Sequence, residues 1–319
     1  MMLITKIFAE NWTISLFVFA KQGRVCFNSG VKNTFKKIGL IGKYLNQDAL
    51  QTMRGDLIQL AHHLTHQEYQ LTIESLTAQY ADIKDFSVQS IDQLVQQVDV
   101  IIVMGGDGTM LSVARSLASN QVPLIGINRG RFGFLTDLRA EDMLREIDAI
   151  LQGHYQAESR MLLSAELQRG DKTFVMGQAL NDVVMKSSVR LIELEVSIDQ
   201  QFVSRQRSDG LIITTPTGTT AYALSAGGPI LHANLEAIAL VPICPHTLSN
   251  RPIAVSSDSQ ITVKLLHSQQ AQLSMDGQAK MELQAGDLLR VARAEHSVTL
   301  LHPEDYSYFE RLRNKLHWS

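Results

Sequence analysis

The sequence predicts an α/β plus β architecture, with an α/β half leading and a β-rich half following. Three observations carry that expectation. Between residues 35 and 153, short apolar runs alternate with segments of helical period. After about Gly153 the period becomes alternating. The most apolar run of the first half ends in a Gly/Asp-rich turn that opens a helix.

Ile38 to Ile41, followed by Gly42, reads as a buried strand, and Asn46 to Leu64 carries Leu50, Leu57, Leu60 and Leu64 at helical spacing. Tyr69 to Ile73 reads as a second strand and Ile91 to Gln97 as a short helix. Asp99 to Met104 (DVIIVM) is apolar enough to be buried on both faces, which suggests a parallel sheet. Gly105-Gly106-Asp107-Gly108 comes next, and then Met110, Leu111, Val113, Ala114 and Leu117 recur at helical spacing. Pro123 to Ile127 reads as another strand and Asp142 to Leu151 as a closing helix. In the second half, Leu191 to Ile198, Gln260 to Leu266, Gln272 to Met275, Leu288 to Ala292 and Ser297 to Leu301 read as strands. Thr214 to Gly228 differs, being a Gly/Thr/Ser turn followed by a short helix of small residues.

Residues 1–34 show no clear period, and no Met lies between Met2 and Met53, so a non-ATG start near Val31 is one expectation for this segment. The apolar run Ile14 to Ala20 is much shorter than the roughly 20 residues that span a bilayer. Only Lys6 precedes it as a basic residue, which disfavours a secretory signal.

The 319 residues carry 29 Lys+Arg against 32 Asp+Glu, a net charge of −3, with 45% hydrophobic and 19% charged content. That composition excludes a disordered chain, and the length excludes a disulfide mini-scaffold. Nothing in the charge balance points to nucleic acid or to a membrane surface. Cys26 and Cys244 lack the repeated spacing of a thiolate metal site, and a reducing, cytoplasmic setting is expected. Cys244 reads as a small buried hydrophobe. His62, His63 and His66 read as a solvated helix face rather than metal ligands.

Three segments carry candidate chemistry. In the first, glycines at a strand-to-helix junction allow positive φ and clear space for backbone N–H groups to face a phosphate. A carboxylate there, Asp107, makes sense against a cation or as acceptor of a hydroxyl proton, although Asp is also a favoured helix cap. The loop lacks the Gly-Lys-Ser/Thr of a Walker motif and is not GxGxxG. The second segment is Ser208-Asp209-Gly210 with Thr214 to Gly228, the latter alone carrying nine Thr, Ser or Gly positions, more than a turn needs. The third is Asn181-Asp182, an amide and a carboxylate able to read adjacent ribose hydroxyls, or else a turn at a strand edge.

Together, GGDGT at Gly105 to Thr109, Asn181-Asp182, RSDGLIITTPTGTTAYALSAGGPIL (Arg207 to Leu231) and PHTLSNRPI (Pro245 to Ile253) resemble the NAD kinase family, especially its gammaproteobacterial members. The resemblance runs from about Phe35 to Trp318 and includes INRGRFGFLTDL (Ile127 to Leu138) and HPEDYSYF (His302 to Phe309). GGDGT alone is shared with lipid kinases, whereas the Arg207 to Leu231 block is long and specific.

The resemblance implies a Rossmann-like α/β domain over residues 35–153, with 302–319 returning to pack on it, and a β-sandwich-like domain over 154–301. It also implies phosphoryl transfer from ATP to the 2′-hydroxyl of the adenosine ribose of NAD, with Asp107 as general base. Gly105, Gly106, Gly108 and Thr109 would form the phosphate loop. Asp107, Gly108, Asn181, Asp182, Arg190, Arg207, Asp209, Gln278 and the run Thr220, Ala221, Tyr222, Ala223, Leu224 and Ser225 would bind NAD. Asp182 stands where the family usually has Glu, one methylene longer. Arg207 before Ser-Asp-Gly accompanies ATP rather than polyphosphate as donor. No dedicated protein ligand for Mg²⁺ is expected, since the ion arrives with ATP. The family assembles as homodimers or homotetramers. The rival readings are a diacylglycerol-type lipid kinase, which the lack of a basic cluster disfavours, and a non-catalytic NAD(P)-binding regulator, which the presence of Asp107 disfavours.

Overall fold

The computed structural model describes residues 35–42, 47–129, 133–187, 189–247, 249–267 and 270–318. The expected extension 1–34, its alternative start and Cys26 lie outside them.

Five parallel strands form the first half: Lys37–Gly42, Gln70–Glu74, Ser87–Gln89, Val100–Gly105 and Leu124–Asn128. Their spatial order is third, second, first, fourth, fifth, which is the doubly wound order. Side chains alternate across such a strand. Val100, Ile102 and Met104 therefore join one apolar cluster with Leu57, Leu60 and Leu64 of helix Gln47–His66 and with Ile147 and Ile150 of helix Met143–Leu151. Ile101 and Val103 join another with Met110, Val113, Ala114 and Leu117 of helix Asp107–Leu117. A run buried on both faces is the expected consequence of helices on both sides. His63 does more than face solvent, because its Nε2 lies 2.8 Å from Asp148 Oδ1 and ties the first of these helices to the last.

The second half is a sandwich. A six-stranded sheet, in order Ile253–Ser256, Ala237–Ile243, Gly210–Thr214, Asp182–Ser187, Ala271–Met275 and Ala279–Glu282, packs face to face on an antiparallel extension of the first sheet. Between them lie Val183, Met185, Leu211, Ile213, Leu240 and Leu273 from one sheet and Leu163, Leu194, Val263, Leu289 and Val291 from the other. The two strands expected at Leu288 to Ala292 and Ser297 to Leu301 are one strand, Leu288–Pro303, with a register shift between Arg293 and Ser297. The polar residues between them sit at that shift rather than in a turn. Leu288–Pro303 pairs antiparallel with Tyr155–Arg169 and in parallel with the last strand of the first half at Leu300–Leu124, so one sheet runs through both halves. Cys244 is exposed rather than buried, because the strand Ala237–Ile243 ends before it and the chain turns there into the left-handed region at φ 43°.

The C-terminal helix Tyr308–Leu316 contacts both halves. Tyr308 donates from its hydroxyl to Leu231 O at 3.1 Å, and Arg311 donates to Gly133 O at 3.0 Å and Thr136 O at 3.2 Å. At the same junction lies a buried ionic network. His302 bonds Asp137 through Nδ1 and faces Glu158 through Nε2 at 3.2 Å, Arg160 pairs with Glu158 at 2.6 Å, and Arg311 pairs with Asp137. Burial pushes the Glu158 carboxyl up, but the His302 hydrogen bond and the Arg160 charge outweigh it and bring it down to about 2. Burial likewise opposes a charged His302, and the Asp137 and Glu158 carboxylates outweigh it, so its pKa is raised.

A raised histidine stabilises the fold fully below its unfolded pKa of about 6.5, and that stability is lost as pH rises through the folded value. The thermal midpoint of the wild-type protein should therefore fall between pH 6 and pH 9, measured by calorimetry. His302→Gln, which leaves two carboxylates facing a neutral amide, should lower stability by about 3–5 kcal/mol at pH 6 and lose the share of that pH dependence that His302 carries.

Candidate active site

The fourth strand of the doubly wound sheet delivers Gly105 to the crevice where strand order reverses, the usual place for a ligand in such sheets. Gly106 caps helix Asp107–Leu117 in an extended conformation, φ −108° and ψ −176°. None of Gly105, Gly106 and Gly108 has positive φ, so conformational freedom is not why these glycines are there. A Cβ added at Gly106 or Gly108 would meet nothing within 4 Å. The missing side chains leave open space in front of the first amides of the helix, which lack intrahelical partners.

Asp107 is held by the segment after the fifth strand. Its Oδ2 accepts from Phe134 N at 2.6 Å, and its Oδ1 accepts from Leu135 N at 3.1 Å and from the Thr136 hydroxyl at 3.3 Å. Gly133 permits this approach, since a Cβ there would lie 1.7 Å from Oδ1. A carboxylate offers about four acceptor positions, so one remains on Oδ2. Lys315 stands nearby, its ammonium over the Phe134 ring at 6.0 Å from the centroid. Burial lowers its pKa, and the Asp107 charge opposes that shift.

Asn181 and Asp182 open the strand Asp182–Ser187 on the outer face of the smaller sheet. Period two puts Val183 and Met185 into the sandwich and Asp182, Val184 and Lys186 on the opposite face. There, with Ser274, Asp276, Gly277, Ala221 and Tyr222, they line a cavity of about 290 Å³. The Lys186 ammonium sits over the Tyr222 ring at 4.9 Å from the centroid. Burial, then the neighbouring Asp276, pushes the Asp182 carboxyl up to about 7 against the pull of Lys186.

A second cavity of about 380 Å³ lies at the crevice, lined by Gly42, Gly108, Thr109, Ser112 and Gln278 among others. The turn Asp276 to Gln278 thus contributes to both cavities. A larger open cavity, about 760 Å³, lies beside the C-terminal helix between Asp137, Arg139, Arg311 and Lys315.

Other candidates lie apart. Arg190 and Arg207 are exposed and line neither of the first two cavities, nor does Asp209, whose backbone bonds Ile243 and Ser187. Thr220 donates to Thr217 O at 3.1 Å, Leu224 and Ser225 follow in the short helix Tyr222–Ser225, and Ala223 packs into the apolar cluster under that helix. Among the described residues, no three His, Cys, Asp or Glu side chains gather as a metal cluster.

Two family models divide this architecture between them. The ATP-NAD kinase N-terminal domain matches residues 43–155 and the ATP-NAD kinase C-terminal domain matches 180–302. The chain belongs to the ATP-NAD kinase family. It is 50% identical over 286 residues to the NAD kinase of Thiobacillus denitrificans, covering 89% of this chain and 97% of that one. Identity to the NAD kinase of an Azoarcus species is 46% over 288 residues, covering 89% and 97%. In structure it resembles yeast NADH kinase complexed with NADH, with TM-score 0.79 and 26% identity over 88% of this chain and 87% of that one. The NAD kinase from Archaeoglobus fulgidus in complex with ATP shares the fold, with TM-score 0.68 and 24% identity over 88% and 98%.

For this ATP-NAD kinase family member, sequence reasoning missed Phe134, Leu135 and Thr136 as partners of Asp107, and it missed Lys186, Ser274 and Asp276 in the smaller cavity. The signal for the first group was present in the GFLT stretch, whose glycine has a steric reason; the second group becomes visible only through strand pairing. A carboxyl with a raised pKa destabilises the fold as pH rises through its titration. Asp182→Asn should therefore flatten the loss of stability that the wild type shows between about pH 4 and pH 8, measured by chemical denaturation across that range.

Proposed function

We propose that this chain transfers the γ-phosphoryl group of ATP to the 2′-hydroxyl of the adenosine ribose of NAD, giving NADP and ADP. The observation that supports this reading best is the meeting of two half-sites. An amide and a carboxyl on the smaller sheet share a cavity wall with a turn whose Gln278 Nε2 donates to Gly108 O at 3.2 Å, beside Asp107. Asn181 and Asp182 read the ribose hydroxyls, Ala221 and Tyr222 flank the base, and the space before Gly106 and Gly108 admits phosphates.

In the reaction Asp107 accepts the proton of the 2′-hydroxyl as its oxygen bonds the γ-phosphorus, and the bond to the β-phosphate oxygen breaks to release ADP. The three donors of Phe134 to Thr136 fix the direction of the carboxylate toward that hydroxyl. Mg²⁺ bound to ATP would supply neutralisation of the phosphate charge, with no protein ligand of its own. Catalysis then rests on alignment more than on covalent chemistry. A protonated Asp182 can donate to a ribose oxygen, which suits its shorter reach. Arg190 and Arg207 lie outside both cavities, which suits a site completed by a second copy in a homodimer or homotetramer. ATP is the donor, and the enzyme acts in the cytoplasm on small molecules. Both halves match NAD kinase models, so the lipid-kinase reading falls away.

Purified protein with ATP, Mg²⁺ and NAD should generate NADP, read by an NADP-specific dehydrogenase; product with polyphosphate alone, or none at all, would overturn the reading and favour a regulator. Asp107→Asn should lower kcat by about 10²–10⁴-fold, while NAD binding by calorimetry persists with some loss, because the amide must meet the N–H of Phe134 or Leu135 donor to donor. Gly108→Ala should leave the thermal midpoint unchanged or raised, because a Cβ has room and alanine favours helix, while its methyl group obstructs phosphate and lowers kcat/KM.

A further inference from the structure

Asp276 enters none of the roles above, although its side chain is 0% exposed and lies between the two half-sites. Its Oδ1 accepts from Asn181 N at 2.8 Å and Asp182 N at 3.1 Å, and its Oδ2 accepts from Leu180 N at 3.0 Å. Three consecutive amides thus end on one carboxylate. The carbonyls of the same turn are held as well. Leu180 O accepts from the Thr215 hydroxyl at 2.6 Å, Asn181 O accepts from Thr215 N and the Thr214 hydroxyl at 2.9 Å, and Asp182 O accepts from Asp276 N at 3.0 Å. Every backbone polar group of Leu180 to Asp182 is therefore satisfied by buried partners, which fixes the turn before any ligand arrives.

The same carboxylate reaches the helix of Asp107. Arg115, two turns along that helix, places Nε 3.5 Å from Asp276 Oδ2, donates to Met275 O at 3.3 Å, and donates to Gln278 Oε1 at 2.5 Å. Gln278 in turn donates to Gly108 O at the helix start. A closed loop of contacts joins the Asn181-Asp182 turn to both ends of the helix that presents Asp107.

We propose that Asp276 is the positioning residue that sets the ribose-reading turn at a fixed place relative to Asp107, with Arg115 as its link to the helix. The inference rests on the NAD kinase reading for its kinetic consequence. Both oxygens of this buried carboxylate are already taken by three backbone amides and face Arg115, so its effect passes through Asn181, Asp182 and Asp107. It should show as a separation of parameters rather than a uniform loss. Asp276→Asn keeps the shape but offers one acceptor oxygen, so an amide group meets at least one backbone N–H donor to donor.

The test is steady-state kinetics of the full chain with hydrogen exchange of the Leu180 to Asp182 segment. Asp276→Asn should raise KM for NAD by about 10–100-fold, leave KM for ATP within about twofold, and accelerate exchange at those amides. Arg115→Ala keeps the three amide bonds, so it should lower kcat about tenfold with little change in KM for NAD and no change in exchange at the turn. The double variant should lose less than the product of the single effects, since both act through one linkage. Unchanged KM for NAD in Asp276→Asn, or equal rises in both KM values, would overturn the proposal. So would unchanged kcat in Arg115→Ala, which also decides the matter if Asp276→Asn fails to fold. Absence of NADP from the wild type would sink the kinase reading instead, and amide exchange would still test the clamp itself.

Discussion

His302, held between Asp137 and Glu158, pins the one strand on which the relative placement of the two halves depends. Leu288–Pro303 is continuous with the parallel sheet on one side and the sandwich on the other. Side chains along it alternate, and a slip of one residue would exchange the faces. Leu300 and Leu301 would tolerate that exchange, because each already lies in an apolar cluster on its own side of the sheet. His302 would not, since the slip would separate a buried imidazole ring from the two carboxylates it bonds. A buried charge is a costly way to stabilise a fold and an effective way to specify register.

From that register the site follows. The sandwich is carried to a fixed position over the crevice of the doubly wound sheet, so the outer face of Asp182–Ser187 comes near the start of helix Asp107–Leu117. The last contacts are made by long or charged side chains, Arg115 and Gln278, across the junction. Burial does two further things there. It pushes the Asp182 carboxyl up to about 7, and it makes the bonds to Asp276 stronger than the same bonds would be in water.

Much of the fold was legible because environment and pattern agreed. Val100–Gly105 is apolar throughout and buried on both faces, and Asp107–Leu117 shows one apolar stripe against it. Tyr155–Arg169 was not legible, because it passes from the junction into the sandwich and carries buried Glu158 and Arg160 where apolar residues would signal a strand. Ser87–Gln89 is a short, largely exposed edge with no pattern to read. In the site, Asp107, Asn181, Asp182 and Gln278 came from motifs, and the structure brings them to one region. Asp276 reads in sequence as an ordinary Asp-Gly turn. Its partners lie about 95 and 160 residues away, and only the pairing of Ala271–Met275 with Asp182–Ser187 brings them together.

On the proposed function, the adenosine ribose of NAD lies between the Asn181-Asp182 turn and Asp107. A crystal structure of the NAD complex tests it most directly. The 2′-hydroxyl should lie within about 3 Å of an Asp107 carboxylate oxygen, with the ribose against Asn181 and Asp182. An adenosine seated instead in the open cavity beside Arg311 and Lys315 would contradict it.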